Sequence, residues 1–189
     1  MYQISDSKTF TGMPVDVNGI RVHKHIVLTA AVNSPPKTEA EVISWLSDMV
    51  KAVDMNILDG PYASTSDVVN NEGITGVVII DTSHIALHLW NNVTPAIIEL
   101  DIFSCKDYDV SIPIDFLNKF DINAINFRCI DRTNAFDDIE LFVVYEEYRD
   151  NKRIVDIHRC INFNQNQLNG KVLSVFTSES AALEYCFKQ

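Results

Sequence analysis

The sequence predicts an α+β fold, a two-layer α/β sandwich in which helices cover one face of a mainly antiparallel sheet. Two observations carry this. Strand-length runs of β-branched and aromatic residues alternate with Asn, Asp, Gly and Pro punctuation, and two stretches show amphipathic helical spacing. At 189 residues the chain suits one domain or a compact pair of lobes, and can bury a substantial core without staples.

The first strand is expected at Val22 to Val32. Pro35-Pro36 then breaks the chain, and Thr38 with Glu41 forms a capping box that starts a helix from Glu39 to Val53. Along it Val42, Ile43, Trp45, Leu46, Met49, Val50 and Val53 recur at helical spacing, so one broad apolar face is available to cover a sheet. From Gly60 to Gly73 the chain turns polar and hydroxyl-rich through Tyr62-Ala63-Ser64-Thr65-Ser66 and reads as a loop.

Four strands follow, at Ile74 to Ile80, His84 to Trp90, Ile97 to Ser104 and Ile122 to Phe127. Between the last two, Ile112 to Phe120 makes a short helix that tolerates Pro113 in its first turn. Beyond Arg132 the pattern changes to strands at Ile139 to Tyr145, Arg153 to Ile161 and Lys171 to Phe176. Asp150-Asn151 and Asn169-Gly170 serve as their hairpin turns, and a helix from Ser178 to Phe187 begins at a Ser cap. The organisation expected is a core over residues 1–132 and a β-rich extension over 133–189. The extension either adds a meander to the sheet or forms a small lobe of the same domain.

Composition narrows the function classes. A net charge of -11 without a Lys/Arg cluster disfavours nucleic acid as a partner. Although 47% of residues are hydrophobic, no apolar run approaches a membrane span and the N-terminus lacks a basic-then-apolar signal pattern, so a cytoplasmic protein is expected. Cys105, Cys129, Cys160 and Cys186 lie far apart without a Cys-x-x-Cys pair, which reads as free thiols.

The chemistry-bearing stretch is Thr82-Ser83-His84-Ile85-Ala86-Leu87-His88, with Cys105 closing the next strand. The His-x-x-x-His spacing would pair two imidazoles on a helix, but Ile85, Leu87 and Leu89 alternate through it with a period of two. On a strand, positions four apart are separated by about 13 Å, too far to share one zinc, so no metal is expected. His84 and His88 then share one strand face with Ala86 and Trp90.

These residues resemble the S-adenosylmethionine decarboxylase family, especially its small bacterial and archaeal proenzymes. The likeness is carried by Gly73-Ile74-Thr75-Gly76-Val77-Val78, Ser83-His84, His88, Trp90 and Asp101-Ile102-Phe103-Ser104-Cys105. It runs from Gly73 to Cys105 and is weaker outside. The resemblance implies that Ser83 attacks the carbonyl of Thr82 to form an ester. Elimination then releases residues 1–82, and a pyruvoyl group, the cofactor, is left at position 83. Proteins lack a good electron sink among ordinary side chains, and a ketone that condenses with a substrate amine supplies one.

By the same resemblance Thr75 supplies a hydroxyl that supports processing, His88 transfers a proton in ester breakdown, and Cys105 protonates the decarboxylated carbon. Tyr62, Trp90 and Asn92 are the candidate substrate contacts, and a homodimer is implied. The chain departs from the family pattern at Thr82, where glutamate is usual, at Asn91-Asn92 in place of an acidic ribose contact, and at Thr29 in place of a first-strand acid. Three readings follow: a divergent decarboxylase of S-adenosylmethionine in polyamine biosynthesis, a pyruvoyl enzyme acting on arginine or ornithine, and a non-catalytic relative that regulates a partner.

Overall fold

The computed structural model describes residues 23–81, 83–133 and 137–189. Val22 and Thr82 lie outside them. The chain runs β1 (Lys24–Val32), α1 (Glu39–Ala52), β2 (Ile57–Ser66), β3 (Gly73–Ile80), β4 (Ser83–Trp90), β5 (Ala96–Ser104), α2 (Ser111–Asn118) and β6 (Ile122–Asp131). It continues through β7 (Asp137–Asp138), β8 (Leu141–Arg149), β9 (Lys152–Cys160), β10 (Asn162–Asn164), β11 (Lys171–Phe176) and α3 (Glu179–Cys186).

The main sheet has the order β10-β6-β1-β5-β4-β3-β2, with β7 paired to β6, and every pairing in it is antiparallel. Its inner face is apolar by strict alternation: Ile85, Leu87 and Leu89 on β4 and Ile98, Leu100 and Ile102 on β5 are all buried. The predicted α+β sandwich with a mainly antiparallel sheet is the observed architecture.

Helix α1 covers the β2–β3 end of this face. Thr38 Oγ1 accepts from the Glu41 amide while the Glu41 carboxylate accepts from the Thr38 amide, the expected capping box. Val42, Trp45, Leu46, Met49 and Val50 are buried, each removal from water being worth about 1.5–3 kcal/mol. Gly76 explains the close fit: a Cβ there would stand 2.7 Å from Val42 Cγ1 and 3.0 Å from Leu46 Cδ1. On α2, Pro113, Ile114 and Leu117 are buried, and this helix packs against α1 and β11.

Strand β2 corrects the loop expected from Gly60 to Gly73. It pairs with β3 from Ile57 to Ser66, with register shifts between Ile57 and Asp59 and between Asp59 and Tyr62. As the sheet's outer strand it buries little on either face, so its sequence needs no apolar alternation, and Pro61 is tolerated at an edge where a donor is dispensable.

The extension supplies two structures. β10 lies along β6 at the edge of the main sheet, and β11-β8-β9 form a separate antiparallel sheet. One face of the small sheet, with Leu141, Val143, Val172 and Val175, joins the main core, while Phe142 and Val144 pack with Ala182 of α3. Asp150 and Asn151 form the β8–β9 turn, both with left-handed backbone (φ 53° and 60°), as expected of a tight hairpin.

Asn169-Gly170 corrects a second expectation. It does not join β9 to β11 as a hairpin, because β10 and a short 3-10 turn intervene and β11 pairs with β8. Ser178 occupies the N-cap position of α3 but makes no cap bond to the helix backbone; its hydroxyl is 2.7 Å from that of Ser180. Among the described residues no helix is long and apolar enough to cross a membrane.

Candidate active site

The outer face of the main sheet is where alternation sends the polar side chains. Cross-strand register sets Thr75, His88, Glu99, Thr29, Asn126 and Asn164 in one continuous row from β3 to β10. The adjacent row reads Ala86, Asp101, Val27, Arg128 and Asn162. Together they floor an open groove of about 760 Å³, within the usual range for a small-molecule site.

Thr75 and His88 meet at one end of the groove. Thr75 Oγ1 lies 2.5 Å from His88 Nδ1, and the His88 ring packs edge-on against Trp90 with centroids 4.1 Å apart. Its other nitrogen, Nε2, is buried and has no hydrogen-bond partner among the described residues. Gly73 permits this crowding, since a Cβ there would fall 2.2 Å from the Leu89 carbonyl oxygen and 3.4 Å from His88 Nε2. A buried imidazole nitrogen without a partner is costly unless a ligand or a second surface engages it.

Ser83 is not in the groove. It opens β4, partly buried, and pairs with Ile80 on one side and with buried Ser104 on the other. Cys105 follows Ser104 directly and is therefore next to the residue facing Ser83. The Cys105 thiol is a free, partly buried group; burial pushes its pKa up and the nearby Arg132 charge partly opposes this. The sequence-predicted set thus divides: Thr75, His88 and Trp90 form one group, and Ser83 and Cys105 form another. Ser83 and His88, five positions apart on one extended strand, are separated by about 17 Å.

The remaining predicted contacts stand apart. Tyr62 lies on edge strand β2, largely exposed, and its hydroxyl donates to Asp59 Oδ1 at 2.6 Å. Trp90 Nε1 donates to Asn71 Oδ1 at 2.8 Å and Asn92 Nδ2 donates to Glu72 Oε2 at 3.3 Å, so both hold the β2–β3 connection against the β4–β5 turn. Thr82, the other half of the predicted cleavage site, lies outside the described residues.

Sequence reasoning missed a carboxylate between two imidazoles. Asp101 Oδ2 lies 2.8 Å from His25 Nε2, and Asp101 Oδ1 lies 3.1 Å from His84 Nε2. Phe103 sits between the two histidines in the next row, facing both in register, with ring centroids 5.7 Å from His25 and 6.2 Å from His84. The groove's charge was also not foreseen. Arg128 is held in a two-pronged pair by Asp138, which leaves the Glu99 and Asp101 carboxylates to set the local field. Shared parity along three strands was the available signal, but it needs the strand order to be read.

A family model described as S-adenosylmethionine decarboxylase matches residues 29–133, more than half of the chain. No curated protein matches the sequence.

Proposed function

The chain belongs to the S-adenosylmethionine decarboxylase family, and on that premise we propose that it is a pyruvoyl-dependent decarboxylase that cleaves itself between Thr82 and Ser83. The observation that carries this reading is the Thr75–His88 pair, with one imidazole nitrogen held by the threonine hydroxyl and the other buried and without a partner among the described residues. Such a nitrogen fits a proton carrier awaiting its reactant. Ser83, at the partly buried start of a strand with Cys105 beside its cross-strand neighbour, fits a new chain terminus that becomes the prosthetic ketone.

A pyruvoyl group, once formed, supplies the electron sink for loss of carbon dioxide. The chain's own residues do the rest. Glu99 and Asp101 give the groove a negative field suited to a cation, which S-adenosylmethionine is through its sulfonium and amine. Cys105, kept as a thiol by burial, carries a proton for the carbon from which carbon dioxide leaves. Arginine and ornithine are cations as well, and carbon dioxide release from the three labelled substrates separates them.

A homodimer is part of the proposal. Ser83 and His88 are about 17 Å apart on one strand, too far to act on the same bond, and His88 of a second copy is the imidazole proposed to act at Ser83. A cytoplasmic enzyme of polyamine biosynthesis is the setting this chemistry suits.

Intact-mass measurement of the purified protein tests the reading. Two fragments, residues 1–82 and 83–189, are expected. A single full-length mass after prolonged incubation, unchanged by hydroxylamine, overturns it.

A further inference from the structure

We infer that His84, oriented by Asp101, is the general base that activates Ser83 in the first step of self-cleavage; this rests on the self-cleavage reading above. Ser83 needs to lose its hydroxyl proton as it attacks, and His88 lies about 17 Å along the same strand. The imidazole within reach is that of His84, whose Nδ1 is 3.4 Å from Ser83 Oγ. That contact is long for a hydrogen bond, and catalytic contacts commonly tighten only as the reaction proceeds.

The surroundings of His84 set its tautomer. Asp101 is a carboxylate and only accepts, so its 3.1 Å contact requires a proton on His84 Nε2. A neutral His84 therefore turns an unprotonated Nδ1 toward the serine hydroxyl. His25 Nε2 donates to the second carboxylate oxygen at 2.8 Å, which holds Asp101 in place. The Phe103 ring, with Arg132 stacked 4.2 Å over it, wedges the two imidazoles. Asp101 is thus a positioning residue and His84 the catalytic one, in the order carboxylate, imidazole, hydroxyl.

The step balances without a co-reactant. The proton of Ser83 Oγ moves to His84 Nδ1 as Oγ bonds to the carbonyl carbon of residue 82. The carbon–nitrogen bond between residues 82 and 83 then breaks, and the proton on Nδ1 passes to the departing nitrogen. The result is an ester at Ser83 with a free amine, an isomer of the starting chain.

The test uses full-length protein carrying His84→Ala, Asp101→Asn or His88→Ala, each checked for native circular dichroism and thermal unfolding. At neutral pH hydroxylamine cuts an ester at Ser83 but not the peptide amide there, and fragment masses separate that cut from cleavage at Asn18-Gly19 or Asn169-Gly170. The His88→Ala chain is expected to stall as ester and be cut by hydroxylamine, whereas the His84→Ala chain remains amide and is not cut. The His84→Ala rate should fall roughly 100-fold or more. Added imidazole should restore it, because the His84 side chain is 44% exposed. Asp101→Asn should slow cleavage about tenfold. Cleavage of His84→Ala at the wild-type rate overturns the inference, as does a folded His84→Ala chain that imidazole fails to rescue. Wild-type Asp101→Asn kinetics remove the positioning role. A wild-type chain that never cleaves is a different result, and it defeats the self-cleavage reading itself.

Discussion

Thr75 and His88 are direct cross-strand partners on β3 and β4, and their side chains are joined by a 2.5 Å contact between Oγ1 and Nδ1. The hydroxyl fixes the ring, and through it the direction in which Nε2 can exchange a proton. Replacing Thr75 by Val keeps the shape and removes the partner that holds Nδ1. Ester breakdown is expected to slow, so that hydroxylamine-sensitive full-length chain accumulates on mass analysis, while Thr75→Ser retains near-normal processing. A Thr75→Val chain that cleaves as fast as wild type would show the contact to be idle.

One inactive chain should be repaired by another. A His88→Ala chain retains Ser83, and a Ser83→Ala chain retains His88. If a second copy completes each site, co-expression yields cleavage of the His88→Ala chain alone, read as fragments of that chain by mass. Equal stalling of His88→Ala with and without the second chain would place both residues' action within one protomer.

Glu99 stands between His88 and Thr29 in the central row of the groove, and the family's first-strand acid is absent at Thr29. We expect the Glu99→Gln variant to raise KM for a cationic substrate about tenfold, consistent with loss of one charged contact. The kcat should change little, because the carboxylate binds ground state and transition state alike. Steady-state carbon dioxide release checks this, and an unchanged KM would remove Glu99 from substrate recognition.

The Cys129 thiol is 1% exposed in the core, and burial raises its pKa to about 12 from an ordinary 9.0. The folded chain therefore binds a proton that the unfolded chain has released once pH exceeds 9.0. Stability from this group is present below that pH and is lost on rising toward 12, with a slope approaching ~1.4 kcal/mol per pH unit. Urea unfolding between pH 8 and pH 11 should show the decline, and Cys129→Ala should make it shallower on a lower baseline, the remainder coming from other thiols such as Cys160, whose pKa burial raises to about 11. An equally steep decline in that variant would assign the effect to other groups.

The elements legible in the sequence were those whose side chains are sorted by burial. Ile85, Leu87 and Leu89 announce β4, and Val42 through Val53 announce α1, because each buries one face and exposes the other. β2 was illegible because an edge strand exposed on both faces is under no such sorting. The pairing of β11 with β8 is a tertiary choice between strands that local turn chemistry at Asn169-Gly170 does not encode. Thr75, His88 and Ser83 were singled out by motif and family resemblance. Asp101 between His25 and His84 was not, because the three meet only when β1, β5 and β4 lie side by side.

The short strand β10 has a consequence out of proportion to its three residues. It occupies the outer hydrogen-bonding edge of β6, and the chain leaves it to form β11 over the inner core. The extension is thereby stitched to one edge and to the inner face of the sheet, so that a chain ending at residue 133 would bare a polar backbone edge and a greasy floor in one cut. Such an edge invites strand addition from neighbouring molecules. What lies beyond the family's matched segment closes a sheet edge and completes part of the core.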